Sequence, residues 1–494
     1  MQKQLLTASI IKSVLYIRLL FFSIPLWSNS RGVADSINLH EVHVSEDANL
    51  SKIFGKGKSN THYIFRYTHD LSRYTEGLII GENCILEFKR GGFINGKIKC
   101  GSIIIEGKSP RFTNAYIEID NADYAKIKNI NADYTFAVDD FVKITNSKNI
   151  DVENVKVTFD KGNRRLSDGG DWIYTEGFDL IDCSNVSFKE CVILNAKSRN
   201  VDSEHGSLTC KNCYDISVDG CSSSGGYNEA FLFMDCNNVT IKNTIISGGN
   251  GSGITLIGGE NFVIDECKSI NVGASGFSLN AKKIRVTNCL IKNWQAYGGV
   301  TLGHSLEVTR TADVEVSNCT IVNDSGKGHP DPIWAFGGVS EGVIKIHDCK
   351  IKSPRICTFD FIYNGEPLKL DLRNNYINVI KAEGLAATIE CFRASGNYDL
   401  LVENNTFVGG VGITGYVRPS DNQPVSNWRI KGNTFKRLGK MPIITPRTKE
   451  NISMGLFEFS DNVIETLESV HNLIVVPHYR KVVVDGNKNK NGIL

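Results

Sequence analysis

The sequence predicts an all-β solenoid, a chain that coils by stacking copies of one short turn. Three observations point there: a repeat of fixed period, the near absence of helical patterning, and one repeat position at which Cys, Thr and Asn replace one another. Between Phe141 and Val316, Phe178-Asp179-Leu180 leads to Asn185-Val186-Ser187-Phe188 and Cys191. Phe231-Leu232-Phe233 leads to Asn238-Val239-Thr240-Ile241 and Thr244, and Ile254-Thr255-Leu256 leads to Asn261-Phe262-Val263-Ile264 and Cys267. Phe277-Ser278-Leu279 leads to Ile284-Arg285-Val286 and Cys289. Each copy reads as two short alternating strands around a polar turn. Cys221, Thr244, Cys267 and Cys289 are spaced by 23, 23 and 22 residues, a period that marks stacked repeats.

A solenoid grows by adding turns, so 494 residues fit one long domain. The 46 Gly, 14 Cys and 4 Met suit strands and turns better than helices. A net charge of +1 gives no overall electrostatic reason to expect nucleic acid as a partner.

At the N-terminus, Lys3, Lys12 and Arg18 precede the apolar run Leu19 to Trp27, and Gly32-Val33-Ala34 offers small residues for cleavage. Residues 1–34 therefore read as a signal peptide. The apolar run is short against the roughly 20 residues a bilayer requires, and no second run is long enough, so no membrane span is expected in the mature protein. The expected location is periplasmic, cell-surface or secreted. Residues 35–77 lack the repeat and read as an N-terminal cap, with a short helix over Glu46 to Phe54 and a strand over His62 to Arg66. An open solenoid needs such a cover for its first turn.

Residues 78–494 read as the solenoid. Cys191, Cys221, Cys267, Cys289, Cys319 and Cys349 occupy one repeat position, held by Thr244 in one copy and by Asn375, Asn405 and Asn433 in later ones. A site that accepts all three residue types is a small buried turn position, so stacked free thiols are expected there rather than disulfides. Cys183, Cys213 and Cys236 form a shorter ladder. Cys210 and Cys213 lack a second pair at zinc-site spacing, so no metal is expected there. The period is interrupted by excess residues at Lys161 to Trp172, near His304 to Arg310, and at Asp324 to Trp334. Such insertions emerge as loops at the turns. Val482 to Asn487 reads as the turn that closes the stack.

These repeats, with their Asn and Cys ladders, resemble the right-handed parallel β-helix of the pectate-lyase-like superfamily. Phe88 to Ile98 (FKRGGFINGKI) also resembles the opening turns of β-helix proteins common in Bacteroidota and their phages. The resemblance implies a single-stranded right-handed parallel β-helix with an N-terminal cap. It covers residues 80 to 490 and leaves activity open, because that superfamily holds lyases, hydrolases, tailspikes and adhesins.

Setting the turns in register stacks Asp139-Asp140, Thr175-Glu176, His205-Gly206 and Asn228-Glu229, followed by Gly251-Ser252 and Ala274-Ser275. Titratable groups thus fill four consecutive turns and then vanish. Adjacent turns lie about 4.8 Å apart, which brings carboxylates of this column within the separations that glycoside hydrolysis uses. Asp140, Glu176, His205 and Glu229 are the candidate catalytic residues. Asp139, Trp172, Tyr174, Glu204, Tyr227 and Asn228 are the candidate polysaccharide-binding residues. Thr175-Glu176-Gly177-Phe178-Asp179-Leu180, Asp139-Asp140-Phe141-Val142-Lys143-Ile144 and Glu204-His205-Gly206 resemble motifs of polygalacturonase-type glycoside hydrolases. They depart from those motifs in order, in Glu for Asp, and in the missing RIK-like motif. The resemblance implies an acid or base role for Asp140 and Glu176, with His205 nearby.

Glycoside hydrolysis without a cofactor leads this reading. A polysaccharide lyase is the alternative, with bases among Arg199, His205, His304 and Arg310 and calcium oxygens from Ser167 to Asp171. Trp294, Tyr297 and Trp334 are further rings for sugar faces or for the wall of the helix. The remaining alternatives are a non-catalytic glycan-binding, tailspike-like or adhesin-like solenoid, and carboxylates that only cap turns by accepting backbone N–H groups.

Overall fold

The computed structural model describes residues 39–55, 58–135, 140–160, 176–196, 206–226, 229–296, 298–302, 311–324, 331–336, 341–353, 357–360, 368–379, 390–395, 398–409, 411–416, 427–438, 444–447, 454–466, 479–489 and 492–493. The stretch read as a signal peptide lies outside them. Glu41 to Leu494 forms one compact unit. Among the described residues no helix is long and apolar enough to cross a membrane.

A full coil has three strands, one on each of three faces. Phe178–Ile181, Ser184–Lys189 and Val192–Leu194 make one coil; Gly206–Lys211, Tyr214–Asp219 and Ser222–Ser224 make the next. Each of these strands pairs in parallel with its counterpart one coil on: Phe178 with Leu208, Val186 with Ile216, Ile193 with Ser223. Parallel strands joined this way coil right-handed, and the protein is a right-handed parallel β-helix. The repeat read from the sequence has two strands, and the structure adds the third. That strand is three residues long with one inward side chain, such as Ile193, so it shows no alternation to read.

The corners explain the Asn-rich turns. Asn288, Asn318, Asp348, Asn374 and Asn404 all have φ near +56°, and each directly precedes the buried ladder residue. Asn and Asp tolerate this left-handed conformation better than other residues with a Cβ. Just past that corner the thiols of Cys289, Cys319 and Cys349 donate to the carbonyls of Thr287, Ser317 and His347 at 3.0, 3.1 and 3.2 Å. The twelve cysteines with described side chains are all buried and free. From Asn375 onward amides replace the thiols: Asn405, Asn433, Asn462 and Asn487 each accept the backbone N–H of the preceding ladder residue at 2.8–3.0 Å. The interior is otherwise apolar, with aromatic stacks such as Phe65 on Phe88 at 4.7 Å and Phe407 on Phe435 at 5.1 Å.

At the N-terminal end the helix spans Leu50–Phe54 rather than starting at Glu46, because Asn49 takes the N-cap and accepts the N–H of Lys52. Leu50 and Phe54 are fully buried, and Phe54 packs edge-on to Tyr63 at 4.6 Å. Thr61–Phe65 and Thr68–Asp70 already pair in parallel with strands one coil on, and His40–Val44 pairs with Thr61–Phe65 before them. At the other end Val482 and Val484 stand in register with the inward Phe457 and Phe459, yet are 49% and 55% exposed. Among the described residues nothing covers those two side chains, and closure is limited to Asn487 at the end of the amide ladder.

Of the excess segments, Lys161 to Trp172 and the His304 to Arg310 stretch lie outside the described residues. Part of the third is not a loop. Asp331–Phe336 is a strand, with Ile333 paired to Val300 and Trp334 to Thr301.

Candidate active site

The expected register holds. Val142 pairs with Phe178, Phe178 with Leu208, and Leu208 with Phe231, which aligns Asp140, Glu176, Gly206 and Glu229 at one repeat position on successive coils. Ser252 follows in the next coil. Asp139, Trp172, Tyr174, Glu204, His205, Tyr227 and Asn228 lie outside the described residues, as do Arg199, His304, Arg310, Tyr297 and the 167–171 calcium candidate. The side chain of Trp334 does too. Trp294 is fully buried in the core and offers no face to a sugar.

Two of the three described carboxylates share one structural task. Asp140 Oδ1 accepts the N–H of Glu176 at 2.8 Å, and Glu229 Oε2 accepts that of Ser252 at 2.5 Å. Each therefore braces the start of the next coil.

Glu176 differs in its surroundings. It is 2% exposed, and its carboxyl takes a hydrogen bond from the hydroxyl of Thr209, a residue with no exposed surface. Thr209 pairs directly with Asp179 of the coil before. Asp179 lies between the inward Phe178 and Leu180, so strand alternation turns it to the outer face, where it is nevertheless only 7% exposed. Its Oδ1 is buried without a hydrogen-bond partner among the described residues, and its Oδ2 lies 3.7 Å from Lys143 Nζ.

Burial and then the negative charge of Asp179 push the Glu176 carboxyl well above the usual carboxylate range; Thr209, the Lys211 ammonium and the Gly206 N–H oppose them. Desolvation disfavours the charged form and a neighbouring carboxylate adds to it. The result is a Glu176 carboxyl pushed toward its protonated form near a second buried carboxyl group. Gly177 lets the chain enter this strand: a Cβ there would stand 2.9 Å from the Ser207 carbonyl and 3.0 Å from Ile193 Cγ2.

Asp179, Lys143 and Thr209 were missed as functional candidates in the sequence. The available signal was a charged residue between two inward apolar ones, on the strand that follows Glu176. Among the described residues, no group of three or more His, Cys, Asp or Glu gathers to hold a metal. An open concavity of about 600 Å³ lies on a different face, lined in part by Lys283, Arg285, Asp313, Glu315 and Lys345. Its charges largely answer one another: Arg285 lies 3.5 Å and His347 3.2 Å from Glu315, and Lys283 3.4 Å from Glu260.

Comparison with known proteins supports the class that this fold defines. The family model described as "Right handed beta helix region" matches residues 199–341. The chain is a right-handed parallel β-helix protein. Among solved structures it is similar to the periplasmic alginate epimerase AlgG, at 8% identity over 87% of this chain and 84% of that one, TM-score 0.29. It is similar to a Yersinia enterocolitica family 28 exopolygalacturonase, at 8% identity over 91% and 78%, TM-score 0.34. The receptor-binding tailspike of bacteriophage Det7 gives 11% identity over 85% and 78%, TM-score 0.32. These likenesses are too distant to carry an activity across. No curated protein sequence matches the chain.

Proposed function

We propose that the protein is an exported polysaccharide-active enzyme, a glycoside hydrolase whose acid is Glu176 and whose second carboxyl group is Asp179. The observation that carries this reading is the burial of two carboxyl groups at the start of one strand, close enough that the Asp179 charge helps push Glu176 toward its protonated form. A protonated carboxyl can donate to the leaving glycosidic oxygen, and a carboxylate beside it can attack the sugar or activate water. Lys143 balances the Asp179 charge from the coil before. Asp140 and Glu229 act as braces in this reading, and His205 stays a candidate.

A lyase is the second reading, favoured by Lys143 and Lys211 near the pair, since cations there would neutralise a uronate carboxylate. Calcium would belong to that chemistry. The test is a panel of neutral and acidic glycans, followed both by reducing ends and by the ultraviolet absorbance of unsaturated product. Reducing ends alone support hydrolysis, and both signals together support a lyase. Silence on every glycan that binds overturns both readings and leaves a binding solenoid.

A further inference from the structure

We propose that Thr209 is the positioning residue of this site, holding the Glu176 carboxyl against the outer face so that it confronts Asp179. The inference rests on the reading of Glu176 as the acid. Thr209 has no exposed surface, so its hydroxyl must be satisfied by protein groups. A hydroxyl has one proton to give and two lone pairs. Thr209 Oγ1 accepts the Gly206 N–H at 2.9 Å, which leaves the hydroxyl proton for Glu176. Gly206 thereby fixes the rotation of the Thr209 side chain. Thr209 stands opposite Asp179 in the strand register, and its hydroxyl therefore holds the acid near its partner.

The Thr209 hydroxyl has a definite effect on proton affinity. A hydroxyl donor favours the ionised carboxylate over the acid. Thr209 thus restrains the combined effect of burial and Asp179, keeping the acid able to release its proton during turnover. Valine has nearly the same shape and no hydroxyl. At position 209 it would remove the donor to Glu176 and the acceptor for Gly206 together.

The test compares wild type, Thr209→Val and Thr209→Ser, each first shown to be folded by circular dichroism. The Glu176 carboxyl is titrated by infrared difference spectroscopy against Glu176→Gln, a readout that needs no turnover. In Thr209→Val the protonated band should persist to higher pH, and Thr209→Ser should restore the wild-type curve. On a cleaved glycan, the alkaline limb of the rate profile should move up in Thr209→Val with kcat lowered and KM little changed. A Thr209→Val titration that coincides with wild type overturns the proposal. If the titration shifts while Glu176→Gln remains fully active, the hold of Thr209 on Glu176 stands and the assignment of Glu176 as the acid falls.

Discussion

The side chain of Asp140 accepts the backbone N–H of Glu176 at 2.8 Å, so one carboxylate offered by the sequence as half of a catalytic pair holds the strand entrance that carries the other. Replacing Asp140 by Asn keeps an acceptor, and replacing it by Ala removes one. Asp140→Ala should lose about 1–3 kcal/mol, as measured by chemical denaturation, with faster hydrogen exchange at the Glu176 amide. Asp140→Asn should lose much less and retain activity.

Glu229 makes the same kind of bond to Ser252. Glu229→Gln should therefore leave both the pH profile and the turnover rate close to wild type. A collapse in rate with stability unchanged would return Glu229 to the catalytic set.

The amide ladder is less forgiving than the thiol ladder. Asn405 accepts the Asn375 N–H at 2.8 Å and donates to the Leu372 carbonyl at 2.9 Å. Its removal orphans buried groups on both sides, at a cost of about 1–3 kcal/mol for each. Cys319 gives only a weak thiol bond to Ser317. Asn405→Ala should accordingly lower the denaturation midpoint well below that of Cys319→Ala.

His69 couples the N-terminal coil to pH. It is 5% exposed, its Nε2 has no partner among the described residues, and its ring stands edge-on to Phe65 at 5.6 Å. Burial and then Arg73 lower its pKa below the usual histidine value, while Glu46 opposes them. A folded-state pKa below the unfolded one gives stability that is complete above the unfolded value and lost as pH falls through the folded one. The protection of amides in 61–70, corrected for the intrinsic exchange rate, should fall from about pH 8 to about pH 5, and His69→Phe should flatten that dependence.

The stacking was legible because Cys221, Thr244, Cys267 and Cys289 repeat at one position, and only a buried ladder site accepts such different residues. The column through Asp140, Glu176 and Glu229 was legible for the same reason, since register follows from period. The third strand was not, because Val192–Leu194 is too short to alternate. Asp179 was also hidden. An Asp on the outer face of a strand reads as solvated, and only its burial makes it otherwise. Nor could the sequence separate Glu176 from Asp140 and Glu229, which share its repeat position. The difference lies in Thr209 and Asp179, and thus in packing.

The most direct test compares Glu176→Gln and Asp179→Asn on a glycan that the wild-type protein cleaves. Each substitution preserves shape and removes a titrating group. The account predicts that both lose at least ~10²-fold in kcat while still binding the glycan. Wild-type turnover by either variant would contradict it.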